Sequence, residues 1–360
     1  MVKHSLKPIV TVIVGALLFA WTSQAQDDSL TLTLTIEHNI GWQCPLATTI
    51  QPQTDIVWVL MSNCRTSDLQ LRTFDVKTGD VVNEPLPLIG DLVANAYDVT
   101  SYSYPLAFTP EGDLELFTAN YESELINRYQ INIERGEITS DEAKQEQLNT
   151  LLLQFTEYPA FAVTFSADHA FAVVGDEVAS YVIDLATEEL IFKIDLPSGF
   201  PAFSADQQLL YISAWDDPEN YDSFAGSLYV YRMADGELLQ TMTLPSVSVL
   251  YPSPDGRFVA IETVTSESIN AEIGIVELAT ERLSNLQKIG TAPTPVLQCV
   301  NNGRSVADVN YVTSGHLPLK GVHWLADNSG FVTLNSAGNQ IAINDCLLEV
   351  SRLRQYGVGE

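Results

Sequence analysis

Apolar residues along this chain come in short runs separated by clusters of Gly, Pro, Asp, Asn and Ser. The stretch from Phe200 to Pro245 shows the pattern most clearly. It reads Phe200-Pro201-Ala202-Phe203, then Leu209-Leu210-Tyr211-Ile212, then Leu228-Tyr229-Val230-Tyr231, then Leu238 to Leu244. Short apolar runs bounded by turn residues predict strands, and Ala234-Asp235-Gly236-Glu237 turns the third into the fourth. The stretch therefore predicts one antiparallel sheet. Near the N-terminus Leu30, Leu32, Leu34 and Ile36 alternate with threonines, the mark of a half-buried strand. Ile56 to Leu60 predicts a strand buried on both faces, Leu69 to Val76 another, and Val81 to Leu88 an outer strand ending in prolines.

Two phrases recur. The opening phrase is Phe108-Thr109-Pro110-Glu111-Gly112, Phe165-Ser166-Ala167-Asp168, Phe203-Ser204-Ala205-Asp206, Pro252-Ser253-Pro254-Asp255-Gly256 and Trp324-Leu325-Ala326-Asp327-Asn328. The closing phrase is Phe74-Asp75-Val76-Lys77-Thr78-Gly79, Glu134-Arg135-Gly136-Glu137, Ile183-Asp184-Leu185-Ala186-Thr187-Glu188 and Val276-Glu277-Leu278-Ala279-Thr280-Glu281. The opener predicts the turn from an inner strand to the next one out; the closer predicts the turn from the third strand to the fourth. Openers lie about 40 to 70 residues apart, and a radial repeat of four-stranded sheets takes about 40–50 each. The widest interval leaves room for a degenerate unit around Cys299 to Leu317, with Val306 to Val312 as its strand. One such sheet cannot bury both faces alone, whereas a ring of them buries each on its neighbours and leaves short edges.

The pattern breaks once. Thr139 to Phe155 reads as a stretch holding a helix, with capping-box spacing between Thr139 and Glu142. A short helical insert is expected near 140–153, covering the core between two sheets. Residues 1–25 read as a secretory signal: Lys3, His4 and Lys7, the apolar run Ile9 to Ala20, and Ser23-Gln24-Ala25 at the cut. Residues 26–40 then form a closing strand and linker, with Leu30 to Ile36 completing the last sheet, and 41–360 form one domain. The expected place is secreted, periplasmic or at the cell surface.

Openers and closers of this kind resemble those of the WD-repeat-like and Tyr-Val-Thr-Asn-type bacterial β-propellers, over about residues 41–360. The resemblance implies an all-β propeller, with seven blades expected and six the alternative. The Trp-Asp ends and Gly-His starts of true WD repeats are missing, and Trp215-Asp216 falls in a loop. Members of that superfamily include scaffolds, lactonases and cofactor-bearing dehydrogenases, so the fold does not assign an activity.

Charge narrows the partners. The formal net charge is -29. Phosphate contacts require Lys and Arg, so nucleic acid is excluded, while a cationic partner or bound calcium is allowed. Cys44, Cys64, Cys299 and Cys346 suit disulfides in an exported protein; three pairings are open, with Cys44–Cys64 and Cys299–Cys346 favoured because each closes a loop between neighbouring strands. No Cys-x-x-Cys points to zinc.

Candidate chemistry is sparse. Asp216, Asp217, Glu219 and Asp222 put oxygen ligands for calcium in one loop, but off the EF-hand spacing; a solvated connection explains them equally. His38, His169, His316 and His323 are the histidines available to a base, with His169 in a turn and expected to be exposed. Ser314-Gly315-His316 reads as a turn, and no Gly-x-Ser-x-Gly nucleophile elbow occurs. The closer departs from the quinone-dehydrogenase pattern at Glu188 and Glu189. Tyr97, Tyr102, Tyr104 and Tyr121, set among Ser and Asn, suit recognition of a protein, peptide or glycan, or else pack between blades. The expected role is a monomeric binding or scaffold module without a catalytic residue; the alternative is a lactonase- or hydrolase-type enzyme in the central channel.

Overall fold

A computed structural model describes the chain from residue 31 to 357, apart from 40–42, 64–67, 91–105, 121–124, 158–161, 217–224, 264–271, 289–299, 306–321 and isolated shorter stretches; side chains of 31–46 and 332–357 are also left aside. After β1 (Thr31–Asn39), the first sheet contains β2 (Gln43–Ile50), β3 (Ile56–Asn63), β4 (Leu69–Asp75) and β5 (Leu86–Gly90). The second contains β6 (Leu106–Phe108), β7 (Leu114–Asn120), β8 (Leu125–Asn132) and β9 (Glu137–Ser140), followed by helix α1 (Glu142–Leu153). The third contains β10 (Ala162–Phe165), β11 (Phe171–Gly175), β12 (Ser180–Asp184) and β13 (Glu189–Ile194). The fourth contains β14 (Phe200–Phe203), β15 (Leu209–Trp215), β16 (Gly226–Arg232) and β17 (Leu238–Leu244). The fifth contains β18 (Ser248–Pro252), β19 (Phe258–Thr263), β20 (Glu272–Glu277), β21 (Arg282–Leu283) and β22 (Gln287–Lys288). A hairpin of β23 (Val300–Asn301) and β24 (Arg304–Ser305) comes next. The sixth sheet joins β25 (Val322–Trp324), β26 (Gly330–Ile343) and β27 (Cys346–Gly357) to β1, so both ends of the described chain meet in one sheet.

Each sheet is a meander that runs outward strand by strand, and in the first five the second strand is buried on both faces. This explains the continuous apolar runs there. On β19, Phe258 and Ala260 pack toward β25 and β26 of the sixth sheet, while Val259 and Ile261 pack toward β15 and β17 of the fourth. On β15, Leu210 and Ile212 face the third sheet and Tyr211 the fifth. On β3, Leu60 faces the second sheet and Val57, Val59 and Met61 share a cluster with Leu325, next to β25. Alternate residues of one strand thus serve two different interfaces, because side chains alternate across a strand. Outer strands such as β13 and β17 are largely exposed at their starts.

The clusters link first to second, second to third, third to fourth, fourth to fifth, fifth to sixth, and sixth to first. The cycle of contacts is complete with six sheets among the described residues, the smaller of the two counts the sequence allows. The fifth sheet packs directly on the sixth through Tyr251, Phe258, Ile275, Trp324 and Phe331. Among the described residues no further sheet stands between these two; around Cys299 to Leu317 the described elements are β23 and β24.

The recurring phrases are turns built on one plan. In the openers, the Ser hydroxyl donates to Asp at 2.8 Å (Ser166–Asp168), 2.7 Å (Ser204–Asp206) and 2.7 Å (Ser253–Asp255), and then accepts the N–H of Phe171, Leu209 or Phe258. The fourth position is left-handed every time, at Gly112, His169, Gln207, Gly256 and Asn328. In the closers, Asp184 accepts the N–H groups of Ala186 and Thr187, and Asp75 that of Thr78. Such side-chain caps replace backbone partners that a tight turn leaves unpaired.

Helix α1 lies between the second and third sheets, where Leu148, Leu151 and Leu152 join Phe117, Ile126, Ala172 and Ile183. Its cap is Asp141, whose carboxylate accepts the Lys144 N–H at 3.2 Å; Thr139, the expected cap, belongs to β9. Asn149 holds the helix to the sheet by giving Ile126 both partners of a strand: its amide oxygen takes the Ile126 N–H and its amide nitrogen donates to the Ile126 carbonyl, each at 2.8 Å.

The first two sheets are joined at their rims by parallel pairing of β5 with β9. A methyl group at Gly90 would lie 2.0 Å from the Ile138 carbonyl oxygen, so this approach needs glycine.

Candidate functional site

Antiparallel connectivity gives the ring two unlike ends. Openers and closers all lie at one end, because each follows a strand running the same way. The strand ends flanking 64–67, 91–105, 121–124, 217–224, 264–271 and 289–321 all lie at the other. One end is therefore tight and internally capped. The other carries the long connections, where binding residues are most often found on rigid scaffolds.

Around the axis the inner strands hold one another by polar contacts. The Thr164 hydroxyl on β10 donates to the Pro201 carbonyl on β14 at 3.2 Å. The Ser248 N–H on β18 reaches past the inner strand of the fourth sheet to the Ser213 hydroxyl on β15 at 2.9 Å. His323 on β25 stands 2.8 Å from the Thr48 hydroxyl on β2. His323 is buried, and burial lowers its pKa to about 4, which keeps the ring neutral at ordinary pH.

A second cluster lies at the tight end, between the second and third sheets. Glu115 sits on the face of β7 turned to the third sheet and is fully buried. The Arg128 guanidinium of β8 bonds one carboxylate oxygen. His169 Nδ1, from the third sheet's opener, stands 2.6 Å from the other. The imidazole lies edge-on to Phe117 and Phe165, which stack on each other. Burial works to raise the Glu115 pKa, but His169 and Arg128 outweigh it and hold the carboxyl below the usual range. His169 is thus mostly enclosed, contrary to the exposure expected of a turn residue, because its left-handed position aims the ring at the neighbouring sheet's buried carboxylate.

Near the long-connection end, Asp176 is buried and accepts N–H groups from Val178, Ala179 and Glu157 and the Tyr181 hydroxyl. Burial raises its pKa, yet these donors bring it below the ordinary value. Asp176 thereby ties the turn after β11 to the segment that follows α1. Glu262 accepts the Tyr251 hydroxyl at 3.0 Å inside the fifth sheet.

Of the residues expected to bind, Tyr97, Tyr102, Tyr104 and Tyr121 lie outside the described residues. So do Asp217, Glu219 and Asp222 of the acidic loop, while Asp216 closes its base by accepting the Ser227 hydroxyl at 2.7 Å. The side chains of His38 and His316 and of the four cysteines are also outside them. Among the described residues no three His, Cys, Asp or Glu side chains gather in a way that could hold a metal ion. The Glu115 cluster went unread in the sequence, although a lone acid inside Leu114-Glu115-Leu116-Phe117 was its signal. A charge in such a run needs a partner.

No protein-family model matches the chain, and no curated protein matches it. Solved structures similar to it include hydrazine synthase of Kuenenia stuttgartiensis, at 15% identity, covering 80% of this chain and 73% of that one with a TM-score of 0.41. TolB from Acinetobacter baumannii matches at 16% identity, over 85% of this chain and 64% of its own, with a TM-score of 0.44. A eukaryotic initiation factor matches at 11% identity, over 72% of this chain and 55% of its own, with a TM-score of 0.34.

Proposed function

We propose that the chain is an exported, acidic, six-bladed β-propeller that acts as a binding or scaffold module. Its partner is a protein, peptide or glycan, and it engages the end of the ring that bears the long connections. The observation that carries this reading is the inequality of the two ends. Opener after opener at the tight end spends its Ser and Asp on its own turn. The opposite end carries the long connections, with Asp176 and Asp216 bracing the bases of two of them. In sequence Tyr97, Tyr102 and Tyr104 fall between β5 and β6, and Tyr121 between β7 and β8, strands whose flanking ends lie at that end. Rigid blades beneath variable connections are a common way to present a recognition surface. Three buried ionisable groups support this role: Glu115, Asp176 and His323 each join one part of the ring to another. The net charge of -29 favours a cationic partner, and calcium in the loop of Asp216, Asp217, Glu219 and Asp222 remains part of the proposal.

The test is paired loop replacement. Segments 91–105 and 121–124 are replaced by Gly-Ser linkers in one variant, and the exposed residues Gln208 and Arg257 of the opener turns by serine in another. Partners cross-linked to the wild type in its native extracytoplasmic fluid are then compared. The reading expects loss of the cross-linked partner in the loop variant and retention in the opener variant. Turnover of a lactone or ester that disappears in His323→Ala, with the fold kept, would overturn it in favour of an enzyme.

A further inference from the structure

After a closing turn, this chain repeatedly places an acid followed by two apolar residues. Asp80-Val81-Val82, Glu189-Leu190-Ile191 and Glu237-Leu238-Leu239 occupy this position in the first, third and fourth sheets. The six apolar side chains are between 37% and 48% exposed. Together with Ile89 on the outer strand β5, they make up all but one of the exposed large apolar side chains among the described residues, Val178 being the other. Exposed apolar groups are ordinary when scattered; these share one position of the repeat.

The second and fifth sheets show what happens there when the position is covered. Ile138 lies under β5, whose Gly90 passes close over it, and Leu283 packs into the core shared with the fourth sheet. In the third and fourth sheets the position stays open, and a strand irregularity falls at it in both: the register shifts between Leu190 and Phe192 opposite β12, and between Leu238 and Gln240 opposite β16. The extra residues, Ile191 and Leu239, are pushed out of the ladder. The turn that leads into the second doublet rests on the strand that carries the first: a methyl group at Gly236 would lie 2.8 Å from the Phe192 ring of β13.

The charge around the patch has one sign to spare. Arg232 is engaged with Asp235 and Glu237, and Lys193 with Glu157 and Asp195. Glu188 and Glu189 stand exposed beside Leu190. We infer that the rim formed by Leu190, Ile191, Leu238 and Leu239, with Glu188 and Glu189 at its border, docks a segment of another protein in which Lys or Arg alternates with Leu, Ile or Val. Apolar side chains cover the doublets and the cations meet the carboxylates. The surface is separate from the long-connection end, so it stands or falls apart from the function proposed above.

The test uses the purified protein and two synthetic peptides, one of repeated Lys-Leu-Leu and one of repeated Lys-Ser-Ser, titrated by calorimetry. The first is expected to bind at least about tenfold more tightly, the factor that about 1.4 kcal/mol of apolar burial supplies. The fourfold change L190S, I191S, L238S, L239S removes that advantage while circular dichroism still reports the folded ring, since these side chains belong to none of the core clusters. Glu188→Gln with Glu189→Gln weakens binding of the first peptide and flattens its salt dependence. Equal affinity for the two peptides overturns the inference, as does retention of full affinity by the fourfold variant. A wild-type dimer that becomes a monomer on the fourfold change also overturns it, by assigning the patch to a second copy of this chain.

Discussion

The indole Nε1 of Trp324 donates a 2.8 Å hydrogen bond to the carbonyl oxygen of Tyr251. The bond ties the inner strand of the sixth sheet to that of the fifth across seventy-three positions of sequence. Trp324 also stacks beside Phe258 and tilts against Phe331, so one side chain fastens both sheets. Trp324→Phe keeps most of the packing and leaves the Tyr251 carbonyl without its donor. It is expected to cost about 1–3 kcal/mol in urea unfolding, whereas Trp324→Ala costs about 3–5 kcal/mol.

Glu115 predicts an acid limb of stability. Its folded pKa lies below the ordinary carboxylate value of about 4.3. Its contribution is therefore present above that value and fades as pH falls through the depressed folded one. Glu115→Gln leaves Arg128 and His169 facing a neutral amide. The variant is expected to lose about 3 kcal/mol at neutral pH, in line with removal of one partner from a buried pair. Its stability then changes less than that of the wild type below about pH 4, as measured by denaturant unfolding across an acid series.

His323 predicts a second, separate window. Its folded pKa of about 4 lies below the ordinary imidazole value of about 6.5, so the unfolded chain binds the proton first. Stability is unaffected above about 6.5, declines as pH falls from there toward about 4, and levels off below, by on the order of 3 kcal/mol in all. His323→Gln should remove this decline while keeping a side chain able to reach Thr48. Nuclear magnetic resonance of the imidazole protons checks the titration directly; a midpoint near 6.5 would contradict the buried neutral state.

Gly90 tests the seam between the first two sheets. Gly90→Ala puts a methyl group 2.0 Å from the Ile138 carbonyl oxygen, which only backbone movement relieves. The substitution is expected to cost about 1–3 kcal/mol and to speed amide exchange at Ile89, whose N–H donates to the Gly136 carbonyl at 2.8 Å. Gly256→Ala, where no atom stands within 4 Å of the added methyl, should cost about 1 kcal/mol from backbone strain alone.

Much of this architecture was legible because the repeat writes its turns in side chains. Ser204, Asp206 and Leu209 in sequence become one hydrogen-bonded opener in space, and Ser166, Asp168 and Phe171 another. The count of sheets was harder to read, since the interval before Trp324 is long enough for one more, and the direct packing of the sixth sheet on the fifth is a contact between residues far apart in sequence. The strand β2 escaped because Gln43 to Ile50 has two adjacent threonines, no strict alternation and a register shift between Pro45 and Ala47. The helix cap was misplaced by two residues because Asp141 and Thr139 both fit the local signal, and the pairing of β9 with β8 claims Thr139. The Glu115–His169 contact joins residues of different blades, and no local pattern encodes a partner supplied by the neighbouring repeat.

The most direct test of this account is a crystal structure of the purified protein. It should show six sheets in a closed ring, Trp324 bonded to Tyr251 at the last junction, and residues 91–105, 121–124 and 217–224 gathered at the end opposite the Ser-x-Asp openers. A seventh sheet between the fifth and sixth, parting Trp324 from Tyr251, would contradict the ring, and long connections divided between its two ends would remove the basis for a single binding end.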